Sequence, residues 1–393
     1  MRLKQNIIMI LILSLLLGSM TLGLALKSED TVEEQEVIEN VIPETFKGNI
    51  INNQGVREEI VDLICNYMDD YFEIMYTFVQ VPTNDYFTND IQAAISEYST
   101  KLVLDARVLH GDDFKLDDAH YDLTFDTIIK LDDDTYSVFL YEDDYLNFKC
   151  LDGITSETLG IENTFVVKKV NDSYKIESHE KVQSQNIIFD ENETSSVNDV
   201  LAIYNYYYSN LKYTIKKEET YKIEAQTNPF VASKTYDANY DRNAATAYLE
   251  AHWRDRNDYY YDFSDEGGNC QNLASQVLYA GGAPMDFTGE DYWYYDSASN
   301  STASWRAVQS FEEYIDYNDG TGVVCEEVEN IYYAEPGDIV HVGHSAPSHA
   351  TVVSKIVNGH ILLDSNSLDM KDMPLEVYIY ANRKLYKVIG INY

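Results

Sequence analysis

A cysteine at the start of a predicted helix is the side chain in this sequence best suited to nucleophilic chemistry. Cys270 follows Gly267 and Gly268, and from Leu273 to Gly281 apolar residues recur at the spacing of one buried helix face. A thiol in the first turn lies at the positive end of the helix dipole, beside backbone N–H groups without a partner inside the helix. Both effects favour the thiolate, the reactive form of cysteine.

The same cysteine also lies on the apolar face of this helix, where an ordinary buried cysteine behaves as a small hydrophobic side chain. Three features favour the catalytic interpretation. Cys270 stands at the helix start, the two glycines allow other groups to approach it closely, and a histidine segment follows downstream.

This downstream segment combines strand signals with a candidate partner for the thiol. A Pro-Gly turn introduces a predicted strand at 338–342, and a second strand, rich in β-branched residues, begins at His349. Asn358 and Gly359 form the strongest two-residue hairpin signal. A third strand is therefore predicted to return from His360.

The register of this hairpin predicts which residue lies beside the histidine. Val357 is expected to pair with His360 across the turn. Counting back along both strands, Thr351 then lies opposite Asn366, and the two side chains share one face of the sheet. Asn366 is thereby predicted to be a diagonal neighbour of His349.

A nucleophile, a base and a polar group that holds the base in the right tautomer form the minimal set for thiol acyl transfer. Cys270 is predicted to attack the carbonyl, and His349 to take and return the proton. Asn366 is predicted to orient the imidazole, with Asp364 as the reserve candidate for that place. The backbone N–H of Cys270 is expected to help hold the oxyanion.

Three motifs in the C-terminal part resemble a known family. They are the Gly-Asn-Cys-Gln-Asn-x-x-Ser-Gln helix start, the Tyr-Asp-Arg-x-Ala-Ala-x-x-Tyr segment at 240–248, and a Pro-Gly-Asp strand before His-x-x-x-Val. Together they look like the bacterial putative amidase domain family, which is similar to the papain-like cell-wall peptidases. The resemblance covers about 236–393.

Two positions depart from the family's pattern. The family usually has Asp before the cysteine, where this chain has Asn269, and usually has His at the orienting position, where this chain has Asn366. Asparagine orients the histidine in papain-like proteases, so the second departure is compatible with activity. The first alters the local charge around Cys270.

The pattern of elements predicts the α+β class. Two amphipathic helices followed by antiparallel hairpins form an α+β domain at 56–185, whose layout resembles the cone-shaped cystatin-like fold and which is assigned a positioning or protein-binding role. A connector with one helix spans 186–235. For 236–393 the resemblance implies a papain-like arrangement, in which the helix bearing Cys270 packs on an antiparallel sheet bearing His349.

The N-terminus carries a predicted targeting segment. Basic residues precede an apolar run, and small residues fit a cleavage site, so 1–25 is interpreted as a secretory signal peptide. The alternative is an uncleaved N-terminal membrane anchor. An acidic linker at 26–55 follows, and no second apolar span is present. The protein is therefore expected to be secreted or held at the cell surface, with no stable membrane span after cleavage.

Charge limits the classes of partner. The formal net charge is −39, from 67 acidic and 28 basic residues. A nucleic-acid partner is therefore not expected, because the phosphate backbone would be repelled. No cofactor is predicted. An alternative zinc site, built from His341, His344, His349 and Asp338, lacks an HExxH-type helix, and metal is left out of the predicted site.

Four cysteines are too few for a disulfide scaffold. A bridge between Cys65 and Cys150 and two free thiols are both open, whereas a catalytic Cys270 should remain unpaired. The sequence thus predicts a secreted, cysteine-dependent amide hydrolase (amidase or peptidase) acting on a peptide or peptidoglycan-type substrate. The alternative is a binding or scaffold module that kept the fold and lost catalysis.

Overall fold

The computed structural model describes residues 48–53, 55–181, 188–189, 194–287, 292–344 and 346–393. The predicted signal peptide and most of the predicted acidic linker lie outside these residues. The last part of that linker forms strand β1 (Asn49–Asn52), which pairs in parallel with the next strand. Within the described ranges, no helix is long and apolar enough to cross a membrane.

The N-terminal region begins with the two helices that the apolar spacing predicted, α1 (Glu58–Thr77) and α2 (Asp90–His110). The Asn89 side chain caps α2 by accepting from the backbone N–H of Gln92 at 2.8 Å. Long antiparallel strands follow: β2 (Leu116–Lys130), β3 (Thr135–Phe148), β4 (Ser156–Val170) and β5 (Ser173–Lys181). Their buried side chains alternate with exposed ones, because one face packs on the helices.

The C-terminal region contributes the other half of the sheet. Its strands are β8 (Gly322–Val328), β9 (Ile339–Gly343), β10 (His349–Val357), β11 (His360–Ser365), β12 (Asp369–Pro374) and β13 (Asn382–Asn392). A separate ribbon pairs β6 (Tyr295–Ser297) with β7 (Asn300–Ser301). The large sheet has eleven strands in the order β1-β2-β3-β4-β12-β11-β10-β9-β13-β8, with β5 also paired to β4.

One sheet therefore runs through both regions that the sequence predicts as separate domains. The join is the antiparallel pair of β4 and β12, in which Leu159 lies opposite Asp369. Ser156 adds a buried hydrogen bond from its hydroxyl to the Asp372 carbonyl at 2.7 Å. One hydrophobic core also contains residues of both regions, such as Phe165 of β4 and Leu385 of β13. The fold is of the mixed α+β class.

Helices cover the C-terminal half of the sheet. They are α4 (Arg242–His252), α5 (Cys270–Ala280), α6 (Ala303–Arg306) and α7 (Val308–Tyr317). The side chain of Asp241 caps α4, as predicted. Every residue of α5 from Cys270 to Leu278 is buried, and the helix contacts β10. The predicted connector helix is α3 (Val197–Thr227), which packs along α2.

Candidate active site

Cys270 is the first residue of α5, and two glycines shape the approach to it. Gly267 and Gly268 have φ angles of 107° and 116°, in the left-handed region that favours glycine. A side chain at Gly268 would also lie 3.5 Å from the Ser367 hydroxyl. The chain can therefore turn sharply into the helix while the loop after β11 comes close to Gly268.

Asn269 fastens this helix start to its surroundings. Its side-chain oxygen accepts from the backbone N–H of Phe263 at 3.2 Å and from the Asn272 amide at 2.6 Å. Its own amide group donates to Asn366 Oδ1 at 3.4 Å, and its backbone N–H donates to the Ser367 hydroxyl. The hydrogen bonds of Asn269 thus join the start of α5 to the loop that follows β11.

The structure brings the Cys270 thiol and the His349 imidazole together. Cys270 is 8% exposed. Burial alone would raise its pKa, but the charge of His349, a hydrogen bond with that imidazole and the backbone N–H groups of Ala350 and Gln271 outweigh burial, so the pKa of Cys270 lies below its ordinary value. The surroundings of Cys270 therefore favour its thiolate form.

Ser365 holds the imidazole of His349. Its hydroxyl lies 3.1 Å from His349 Nε2 and donates to the Leu368 carbonyl at 3.3 Å. Because the hydroxyl proton is used for that carbonyl, the serine oxygen accepts from Nε2–H. Nδ1 is then the ring nitrogen left for the thiol of Cys270.

The predicted register of the hairpin is wrong. Val357 does pair with His360, as predicted. A β-bulge between Val353 and Lys355 then places Val353 opposite Leu363, whereas the predicted register places it opposite Asp364. One extra residue in a strand exchanges which side chains face each side of the sheet. Ser365 therefore takes the face of His349.

The two side chains predicted to orient the histidine have other hydrogen-bond partners. Asn366 accepts from the Asn269 side chain. Asp364 is buried on the opposite side of β11, and its Oδ1 accepts from the backbone N–H of Asp372 at 2.7 Å. Burial and the Asp372 charge raise the pKa of Asp364 to about 7. Ser365 thus contacts the imidazole of His349 at the place predicted for Asn366 or, as the reserve candidate, for Asp364.

A second histidine is buried near the start of α5. His341 Nδ1 lies 2.9 Å from Glu312 Oε1, and its Nε2 lies 2.9 Å from Gln271 Oε1. Burial lowers the pKa of His341, and the Glu312 carboxylate opposes that shift. Gln271 follows Cys270 directly in the chain, so the hydrogen bonds that join Glu312, His341 and Gln271 help to fix the first turn of α5.

The residues of the alternative zinc site are held by different partners. Asp338 forms a 2.8 Å ion pair with Arg242, and His341 is held by Glu312 and Gln271. Across the described part of the chain, no group of three or more His, Cys, Asp or Glu side chains is placed to hold a metal ion. All four cysteines are free thiols, including Cys65 and Cys150.

Tyr378 is a further neighbour of the thiol that the sequence did not reveal. It ends the 3-10 turn at Leu375–Tyr378, and its hydroxyl donates to the sulfur of Met370 at 3.3 Å. Burial raises the pKa of Tyr378, and the charge of Cys270 raises it further. Tyr378 and His349 both line a cavity of about 500 Å3, which gives a substrate a place beside the imidazole of His349.

Comparison with known proteins bears on this same region. Residues 239–389 match the family model described as the putative amidase domain. The C-terminal part of the chain is thus similar to an amidase-type domain. The described elements inside this match include α5 with Cys270 and β10 with His349. The matched residues thus include the elements that bear the thiol and the imidazole.

A relative is similar to part of the chain. The uncharacterized protein YhbB of Bacillus subtilis (strain 168) is 32% identical over 139 residues, which is 34% of this chain and 43% of that protein. The chain thus matches less than half of the length of that relative. No solved structure matches the chain, and the papain-like and cystatin-like resemblances stay predictions.

Proposed function

We propose that the protein is a cysteine-dependent amide hydrolase that acts outside the cytoplasm. The observation that carries the proposal is the hydrogen-bonded thiol and imidazole of Cys270 and His349, with Ser365 behind the ring. The match of the surrounding residues to the putative amidase domain supports cleavage of an amide bond. Burial raises the pKa of the Cys325 thiol above its ordinary value, whereas the pKa of Cys270 lies below it.

The reaction divides into acylation and deacylation. In acylation, His349 takes the thiol proton and the Cys270 sulfur attacks the carbonyl carbon of the substrate. The imidazolium then protonates the leaving nitrogen, the C–N bond breaks and a thioester remains. In deacylation, His349 takes a proton from water, hydroxide adds to the thioester carbonyl, and the thiolate leaves with release of the carboxylic acid.

The start of α5 supplies the electrostatic part of the mechanism. Backbone N–H groups of the first helical turn have no partner one turn earlier, so the N–H of Cys270 is suited to hold the oxyanion that forms during attack. Ser365 is a positioning residue, because it acts through His349 and keeps the proton on Nε2. This leaves Nδ1 as the nitrogen that exchanges protons with the substrate.

The proposed substrate is a peptide or peptidoglycan-type amide. The predicted signal peptide at 1–25 and the resemblance to cell-wall hydrolases support a location outside the membrane. The net charge of −39 argues against nucleic acid as a partner. The N-terminal region is proposed to position the substrate or a protein partner.

The test uses the full chain. The parent protein and the Cys270→Ala variant are incubated with cell-wall fragments, and new amino and carboxyl groups are identified by mass spectrometry. New products are expected with the parent and with Cys65→Ala, and none with Cys270→Ala. Iodoacetamide should abolish activity and EDTA should leave it intact. Products that form with Cys270→Ala would refute the mechanism, and binding of fragments without any cleavage by the parent would support the alternative of a binding module.

A further inference from the structure

The cavity beside His349 is built by both regions of the protein. Helices α1 and α2 and strands β3 and β4 supply one part of its wall, and β12 with the turn after it supplies another. The apolar side chains of this wall include Phe72, Met75, Leu146, Met370 and Met373. A substrate that reaches the thiol from this side therefore contacts the N-terminal region as well as the amidase domain.

One cation on the cavity wall has unused hydrogen-bond donors. Arg107 of α2 is 7% exposed, and its guanidinium lies over the Phe148 ring at 5.0 Å. Its Nη1 atom is buried and, among the described residues, has no hydrogen-bond partner. Leaving such a donor unpaired in an apolar setting is costly. A ligand with an acceptor group would remove this cost.

The charged side chains near Arg107 do not neutralise its guanidinium. Lys181 is neutralised by Glu142 in a buried ion pair of 2.8 Å. Burial and the charge of Glu142 raise the pKa of Asp144 well above its ordinary value, which favours the protonated acid. Asp144 also lines the cavity, and its Oδ1 has no hydrogen-bond partner among the described residues. Arg107 is therefore suited to an anionic ligand.

The other acids on the wall are already engaged or exposed. Glu376 Oε1 accepts from His360 Nδ1 at 2.8 Å and forms an ion pair with Lys222 at 3.3 Å, whereas its Oε2 has no hydrogen-bond partner among the described residues. Glu162 is exposed to solvent, which screens its charge. Neither group neutralises the guanidinium of Arg107, so the positive charge inside the cavity is available to a substrate.

We propose that this cavity binds the part of the substrate on one side of the scissile amide, a short apolar peptide segment that ends in a free carboxylate paired with Arg107. The inference rests on the proposed function and assigns its substrate class. A guanidinium and a carboxylate form two parallel charge-assisted hydrogen bonds. The cavity volume of about 500 Å3 lies within the range of small-ligand sites. The enzyme would then act near free carboxyl ends.

The test compares matched peptides. N-acetylated tetrapeptides of Ala, Val and Leu are prepared with a free carboxylate and, in parallel, with a terminal amide. The parent is expected to cleave the acids with kcat/KM at least about tenfold higher than the amides. Arg107→Met should remove this preference, mainly through KM, whereas Arg107→Lys should keep part of it. Arg57→Met, at an exposed arginine, should behave as the parent.

Binding to the Cys270→Ala variant separates this proposal from the proposed function. If the acids bind more tightly than the amides to Cys270→Ala, and Arg107→Met added to that variant removes the difference, the cavity assignment holds even if the parent hydrolyses nothing. Equal cleavage and equal binding of acids and amides would overturn it while leaving the hydrolase intact. Absence of binding by every peptide would also overturn it. Circular dichroism and thermal unfolding check that each Arg107 variant is folded.

Discussion

His349 and Ser365 are joined by a hydrogen bond of 3.1 Å between Nε2 and Oγ. The bulge between Val353 and Lys355 places the serine there. The serine hydroxyl is itself held by the Leu368 carbonyl. The ring of His349 is therefore oriented by a neutral side chain with a fixed proton direction.

Replacing the serine tests this orientation. Ser365→Ala should lower kcat by about 10- to 100-fold, with little change in KM, because the imidazole loses the acceptor that fixes its tautomer. Ser365→Thr should recover much of the rate. Steady-state kinetics provide the measurement, and Ser209→Ala, at an exposed position on α3, is the matched control. An unchanged kcat in Ser365→Ala would show that Ser365 does not position His349.

Asn366 should affect stability more than catalysis. Its side chain accepts from Asn269 and so helps to hold the start of α5. Asn366→Ala should lower the free energy of unfolding by about 1 kcal/mol and should reduce kcat less than Ser365→Ala does. Urea unfolding and kinetics on the same preparations check this. A larger loss of kcat in Asn366→Ala than in Ser365→Ala would restore the sequence-based assignment of Asn366 as the orienting residue.

The pH dependence of alkylation reports on the thiol. His349 and backbone N–H groups lower the pKa of Cys270 against the effect of burial, whereas burial, Asp69 and Asp62 raise the pKa of Cys65 to about 11. Iodoacetamide should therefore modify Cys270 at a lower pH than Cys65 in the same sample, as followed by peptide mass spectrometry. His349→Ala should move the midpoint for Cys270 upwards. Modification of both thiols with one midpoint would contradict the assigned pair.

Asp364 should make the protein less stable as the pH rises towards neutrality. Its pKa of about 7 in the folded protein exceeds the value of about 3.9 in an unfolded chain. The folded state then holds the extra proton between these two values, so stability is greatest below about pH 4 and falls until about pH 7. Asp364→Asn should remove this loss, by up to roughly 4 kcal/mol.

The measurement for Asp364 is urea unfolding at pH 4 and pH 8. Asp364→Asn should gain stability relative to the parent between the two values, because the amide cannot ionise. Asp172→Asn, at an exposed turn, serves as the control for removal of one charge. A difference between variant and parent that is the same at both values would show that folding does not raise the pKa of Asp364.

Local signals predicted much of the site. The start of α5 at Cys270, the hairpin turn at Asn358 and Gly359, and the cap at Asp241 all follow from residue types and spacing, and each is present. These features depend on neighbours in the chain, where propensity and turn chemistry are strongest. They were sufficient to select the thiol and the imidazole as partners.

The bulge and the shared sheet could not be predicted. From Ala350 to Val353 β10 is buried on both faces, so no alternation of apolar and polar residues marks the extra residue. The pairing of β4 with β12 joins residues about 200 positions apart, and no local pattern specifies such a partner. No local pattern marks Arg107 either, since only the folded chain brings α2 to the cavity beside His349.

The sheet that both regions share also determines whether the C-terminal region can be produced as a separate fragment. Cutting the chain between α3 and α4 would remove β4 from β12 and leave an unpaired strand edge with a row of free backbone donors and acceptors. Apolar side chains of β9, β11 and β13 that belong to the common core would be exposed as well. A truncated C-terminal fragment would therefore be prone to aggregate through that edge, and any exchange of the N-terminal region between relatives must preserve the pairing of β4 with β12.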